Sequence, residues 1–246
     1  MKTYYRLKIE RDESPMDPRE GGGQPSKMWC WHPRYTLGDK NPYKRQHVSD
    51  AIRALVEGVD PTASDVLDGL DEEPRHKEAL RRFESLFVSL SLHLYDHSGI
   101  TMSTGAFADR WDSGGVGFIC VSKKEAKEQY GHDVFKSDGW TEEMTKKVIE
   151  TLETEVEVYD QFLTGAVYGY QLEKLVYEFE QPVEEIDADN DDLPWEDVHS
   201  CWGFYGDEVE TNGITDDVVG ELPIQAVHDA QDNLGEWHLA VVEESK

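Results

Sequence analysis

A histidine–aspartate string is the first place where this sequence could do chemistry. His93, Asp96 and His97 fall within one short stretch, and Asp112 follows after a loop. Two imidazoles and a carboxylate could hold a divalent metal or serve a metal-dependent enzyme, with Asp96 orienting one ring. His93, however, alternates with the apolar residues of its segment and is expected to face away from their core. His97 falls in a turn, and an aspartate capping backbone amides explains the string without chemistry. A second candidate pairs Cys30-x-His32 with His199-x-Cys201. Residues i and i+2 share a strand face, so two such strands meeting could surround one zinc ion. The one-residue spacing is tighter than the usual ligand spacing, and cysteine beside tryptophan is an ordinary core neighbour.

The acids make the sharper pattern. Glu150, Glu153, Glu157 and Asp160 recur at helical spacing and line one face as a negative stripe. Like charges so placed oppose the helix, which invites an explanation beyond propensity. Glu184, Glu185, Asp187, Asp189, Asp191 and Asp192 then crowd a single loop. DNA carries one negative charge about every 1.7 Å of its axis, and a folded acidic surface can imitate that spacing. The plainer reading is a solvated face that keeps the protein soluble. Asp187 to Asp192 resembles the start of a calcium loop but lacks the glycine at the sixth place and the closing glutamate. Gly114-Gly115-Val116-Gly117 precedes a strand, so no helix N-terminus is at hand for a phosphate. No G-x-x-x-x-G-K-[ST], H-E-x-x-H or G-x-S-x-G occurs.

Composition frames these candidates. The 246 residues carry 52 Asp and Glu against 24 Lys and Arg, a formal charge of −28. Residues 150–246 hold 27 acids against only Lys174 and Lys246. Such an asymmetry repels nucleic acid and membrane surfaces and attracts basic partners. Halophilic adaptation would spread the acidity evenly and favour Arg over Lys, whereas here Lys is 14 and Arg 10. Three scattered cysteines with no C-x-x-C fit a reducing cytoplasm and exclude a disulfide scaffold. No apolar run is long enough for a transmembrane span or a signal core.

The elements that must position these residues are mixed. Thr3–Ile9 alternates as a strand, and a Pro- and Gly-rich loop, mobile at its glycines, is expected over about 11–27. Ser49 is read as the cap of a helix over Asp50–Glu57, and Pro74 opens another with Leu80, Phe83, Leu86 and Phe87 as its stripe. Val88–Tyr95 alternates as a strand with one buried face, and Val116–Val121 is a nearly continuous apolar strand of a sheet interior. Thr141 begins a helix of about twenty residues ending near Tyr159. Ala166–Glu173 and Leu175–Phe179 read as a hairpin, followed by an acidic loop over about 180–197. The strand His199–Tyr205, a helix Ile224–Asp232 and a strand Trp237–Val242 close the chain. The expected class is α+β, one domain over 1–246 with a mixed or antiparallel sheet and several helices packed on it.

Several strings resemble a group of uncharacterised bacteriophage and mobile-element proteins. They are Asp12-Glu13-Ser14-Pro15 with Pro18-Arg19-Glu20, Cys30-Trp31-His32 with Tyr35 and Leu37-Gly38-Asp39, Leu94 to Ser103, Trp111 to Gly114 with Val116-Gly117, Val158 to Gly169 and Ser200 to Gly206. The resemblance implies a small cytoplasmic accessory protein made in an infected or lysogenic bacterium, and it brings no reaction with it. The leading expectation is a non-enzymatic protein without cofactors. Its acids would engage and inhibit a basic, nucleic-acid-binding host protein of defence or regulation, with neither nucleic acid nor membrane bound directly. The alternatives are a metal-dependent module at His93, Asp96, His97 and Asp112, and a virion assembly protein.

Overall fold

The computed structural model describes residues 2–109, 111–131, 133–136, 139–176, 186–218 and 220–243. Its strands are β1 (Lys2–Arg11), β2 (Lys27–Cys30), β3 (Phe87–Asp96), β4 (Ile100–Ser103), β5 (Ser113–Ser122), β6 (Val167–Leu175), β7 (Trp195–Tyr205) and β8 (His238–Glu243). Its helices are α1 (Val48–Val59), α2 (Ala63–Asp68), α3 (Glu72–Leu86), α4 (Lys123–Gln129), α5 (Glu142–Thr164), α6 (Val209–Asn212), α7 (Ile214–Val218) and α8 (Ile224–Asp232). Helix accounts for 38% and strand for 28%, in two antiparallel four-stranded sheets, so the class is α+β. No described helix is long and apolar enough to cross a membrane.

The chain clusters into two compact units. In residues 17–160 the sheet order is β2-β5-β3-β4. β5 lies inside this sheet, and Ile119, Cys120 and Val121 are buried in succession, so both faces of this stretch are covered, as its continuous apolar run implies. β3 shows the expected alternation: Val88, Leu92 and Leu94 are buried while Ser89 and Ser91 are exposed. Val56, Ala63, Leu67, Ala79, Phe83, Phe87 and Cys120 form a core under α1, α2 and α3. Two local readings need correction. The cap of α1 is His47, whose ring accepts from Ser49 N–H while Asp50 accepts from His47 N–H, so Ser49 is already helical. On α3 the buried residues are Ala79 and Phe83, and Leu80 is largely exposed.

The second unit comprises residues 1–16 and 161–246, with sheet order β7-β6-β1-β8. Leu7, Ile9, Tyr168, Tyr170 and Leu172 pack against Val209, Ile214, Val218, Leu222 and Val227 of the helical segment that follows β7. The expected hairpin of Ala166–Glu173 with Leu175–Phe179 is not formed. Leu175 ends β6, whose partners are β1 and β7, and residues 177–179 lie outside the described residues. The first part of the expected acidic loop also lies outside them, and Trp195–Asp197 belong to β7 rather than to the loop.

Candidate functional site

The histidine–aspartate cluster assembles only in part. Asp96, at the end of β3, sends its N–H to the carbonyl of Asp112 over 2.8 Å. His97 Nδ1 then faces Asp112 Oδ2 at 3.1 Å. His93 lies farther back along β3, opposite Ser103 on one side and Gly115 on the other. The structure adds partners that no local signal announces. The Arg34 guanidinium pairs with Asp96, and Tyr35 donates its hydroxyl to the same carboxylate over 3.3 Å. Trp31, His32, Arg34, Asp96, Trp111 and Asp112 border one open cleft of about 330 Å³.

The chemistry of this cleft is modest. His32 Nδ1 accepts from the N–H groups of Arg34 and Tyr35, so its proton sits on Nε2 and its ring stacks on Tyr35 at 4.8 Å. Burial and the neighbouring Arg34 charge hold His32 below its usual range, which keeps it neutral. His97 with Asp112 has the form of a base with its orienting carboxylate. The Ser113 hydroxyl, next to Asp112, donates to the Asp109 carbonyl.

The cysteine–histidine pairs do not meet as strand neighbours. β2 pairs with β5 in one sheet and β7 with β6 in the other. Cys30 is buried, and desolvation with the nearby Asp39 charge pushes its thiol up to about 12, far from a ready ligand. His199 Nδ1 lies 2.5 Å from the Tyr170 hydroxyl, which donates to Asp217 Oδ2 at 2.6 Å. The tyrosine has one proton to give, so His199 must present its own Nδ1–H to the tyrosine oxygen. Cys201 is half-buried on the same strand. Among the described residues no three His, Cys, Asp or Glu side chains gather so as to hold a metal ion.

The acids divide by what they already hold. On α5, Glu150 pairs with Lys147 at 2.8 Å and Lys146 at 3.9 Å. Glu153 and Glu157 are exposed. Asp160 is half-buried and accepts the Met102 N–H at 2.6 Å, which fastens β4 to the helix. In the other unit Asp187, Asp189 and Asp192 are exposed. Asp187 accepts the N–H of Asp189, and Asp191 pairs with Arg6 at 2.9 Å. Glu184 and Glu185 lie outside the described residues.

Burial, joined by the Glu157 charge, pushes the Asp160 carboxyl above its ordinary value despite the Met102 hydrogen bond. A folded-state pKa above the unfolded one means that the native state binds the extra proton. This group therefore weakens stability as pH rises through its raised value. Asp160→Asn keeps an acceptor for Met102 N–H and is expected to hold or raise stability at neutral pH and to flatten its pH dependence in the acid range. Urea denaturation of both proteins at several pH values reads this directly; a variant markedly less stable at neutral pH would show that the charge is needed.

No family model matches the chain, and neither a curated protein nor a solved structure matches it.

Proposed function

We propose that the protein is a binding protein whose acidic surface engages a basic, nucleic-acid-binding partner in the place that DNA would take. The observation that carries this reading is the charge of residues 161–246, where 22 Asp and Glu stand against Lys174 and Lys246. Much of it points to solvent. Asp189 and Asp192 in the loop, with Glu196 and Asp197 on β7, are exposed, and Arg6 of the same unit is buried. Exposed Glu153 and Glu157 add charge on α5. The phage-like strings make a defence or regulatory factor in a bacterial cytoplasm the natural partner class.

Screening gives the test. The protein is incubated with host lysate at low salt and again at roughly half-molar salt, where the Debye length falls to a few ångströms. A basic nucleic-acid-binding protein is expected to be captured at low salt and lost at high salt. Asp187, Asp189 and Asp192 changed together to Asn should weaken that capture by roughly tenfold, mainly through slower association. Capture indifferent both to salt and to this variant would overturn the reading.

The pairing of His97 with Asp112 beside Asp96 favours a second reading, a catalytic or metal-dependent module in the cleft of Trp31 and Trp111. Metal bound in stoichiometric amount by untagged protein, and lost in a folded Asp96→Ala, His97→Ala variant, would move the conclusion there.

A further inference from the structure

One end of the β1–β6–β7 ribbon builds a cleft that neither the acid stripe nor the histidine cluster includes. Gly169 on β6 stands opposite Trp202 on β7. A Cβ at Gly169 would lie 2.1 Å from the indole, so only glycine lets this ring lie on the strand. The ring is nonetheless 43% exposed. Facing it is the segment that leaves β1: Glu10, Arg11, Asp12, Glu13 and Ser14 border, with Trp202, an open cleft of about 440 Å³. The segment is held in place. Asp12 N–H donates to the Val167 carbonyl at 2.8 Å, and Asp12 Oδ1 accepts Ser14 N–H at 2.9 Å. Two residues on, Met16 is 73% exposed.

Three carboxylates beside one aromatic face select a flat cation. The cleft's own cation, Arg11, lies over the Tyr168 ring at 5.8 Å, and Lys8 reaches Glu10 at 3.4 Å. Among the described residues no cation pairs with the Asp12 or Glu13 carboxylate at this rim. We propose that this cleft receives an arginine side chain of the partner protein, the guanidinium stacked on Trp202 and its N–H groups directed to Asp12 and Glu13. Arginine fits better than lysine because its planar fork can stack and bond to a carboxylate at once. An exposed aromatic and a methionine rimmed by charge also have the composition of an interface anchor. This inference rests on the reading of the protein as a binder of basic partners, and it names the side chain that such a partner would insert.

The full chain is titrated with N-acetyl-arginine methylamide, and separately with the neutral citrulline isostere, while the Trp202 indole N–H is followed by NMR. Trp202→Phe assigns that signal by its disappearance. A saturable shift with the arginine compound, absent with citrulline and weakened roughly tenfold by the exposed-site variant Glu13→Gln with Asp12→Asn, is expected. No saturable shift, an equal response to citrulline, or indifference to the carboxamide pair would overturn the proposal. Lysate capture that survives these carboxamides while no arginine docks would leave the partner reading standing and remove the cleft from it. Arginine docking without any capture would do the reverse.

Discussion

Arg19→Met is expected to cost the fold about 3–5 kcal/mol, because it leaves buried carboxylates without their cation. In a chain of this size that lowers the melting temperature by roughly 10 °C. Arg19 is the buried centre of a network within residues 17–160. Its Nε and Nη2 reach both Asp39 oxygens at 3.0 and 2.8 Å, its Nη1 reaches Glu155 at 2.6 Å, and Ser26 accepts through both hydroxyl and carbonyl. Desolvation alone would pull the guanidinium pKa down. The bonds and charges of Asp39 and Glu155 outweigh it and hold it above its ordinary value. Removing the cation therefore strands two carboxylates that are only 21% and 14% exposed. It also unfastens Asp39, which accepts Met28 N–H at 2.7 Å after the tight left-handed turn at Gly38. Adding Glu155→Gln to Arg19→Met should return part of the loss, because one stranded charge goes. Urea denaturation of the single and double variants measures both steps. A loss below about 1 kcal/mol, the worth of an exposed pair, would show the network to be solvated.

Arg19 also shows where reading the sequence stops. The Pro- and Gly-rich stretch around it is irregular, as its composition predicts, yet its centre is pinned by residues 20 and 136 positions away. Periodicity served where one neighbour decides burial. The alternation of Val88–Tyr95 became β3, and Ile224–Asp232 is α8 residue for residue. It failed where burial comes from both sides. Val167–Tyr170 is buried throughout, so both faces of β6 are covered, and the partner that follows it in sequence, β7, stands beyond the acidic loop. Leu80 shows the converse, an apolar residue that the helix turns outward. At the candidate site, Asp96, His97 and Asp112 were legible because a turn and one strand pairing bring them together. Arg34 and Tyr35 were not, since only tertiary packing carries them to Asp96. Charge was legible as a sum and not as an allocation. Asp160 is engaged with a backbone amide, Glu155 with Arg19 and Asp191 with Arg6.

The last of these allocations yields a test that separates plain charge from shape. Arg6 is 5% exposed, with its guanidinium over the Trp195 ring at 4.8 Å and over the Trp237 ring at 4.1 Å. It bonds Glu173 at 2.6 Å, Asp191 at 2.9 Å and the Ala188 carbonyl at 2.8 Å, so one side chain ties the acidic turn to β1 and β6. Arg6→Leu is expected to cost about 2–3 kcal/mol, less than Arg19→Met because Asp191 keeps most of its water. Arg6→Lys should lose part of this, since an ammonium cannot stack flat on an indole and bond to carboxylate and carbonyl at once. Amide exchange should accelerate across residues 186–194 before the rest of the unit, because those residues lose both a carbonyl anchor and a carboxylate anchor. The consequence for binding has an unusual sign. Loss of Arg6 makes the chain one charge more negative, so attraction by net charge alone predicts equal or stronger capture of a basic partner. A surface that imitates the spacing of phosphates needs its acids held in place, and it predicts weaker capture. Binding of the captured partner to Arg6→Leu at low salt therefore decides the matter. Weaker binding by a folded variant with faster exchange at 186–194 argues for a shaped acidic surface, and stronger binding argues for charge without geometry.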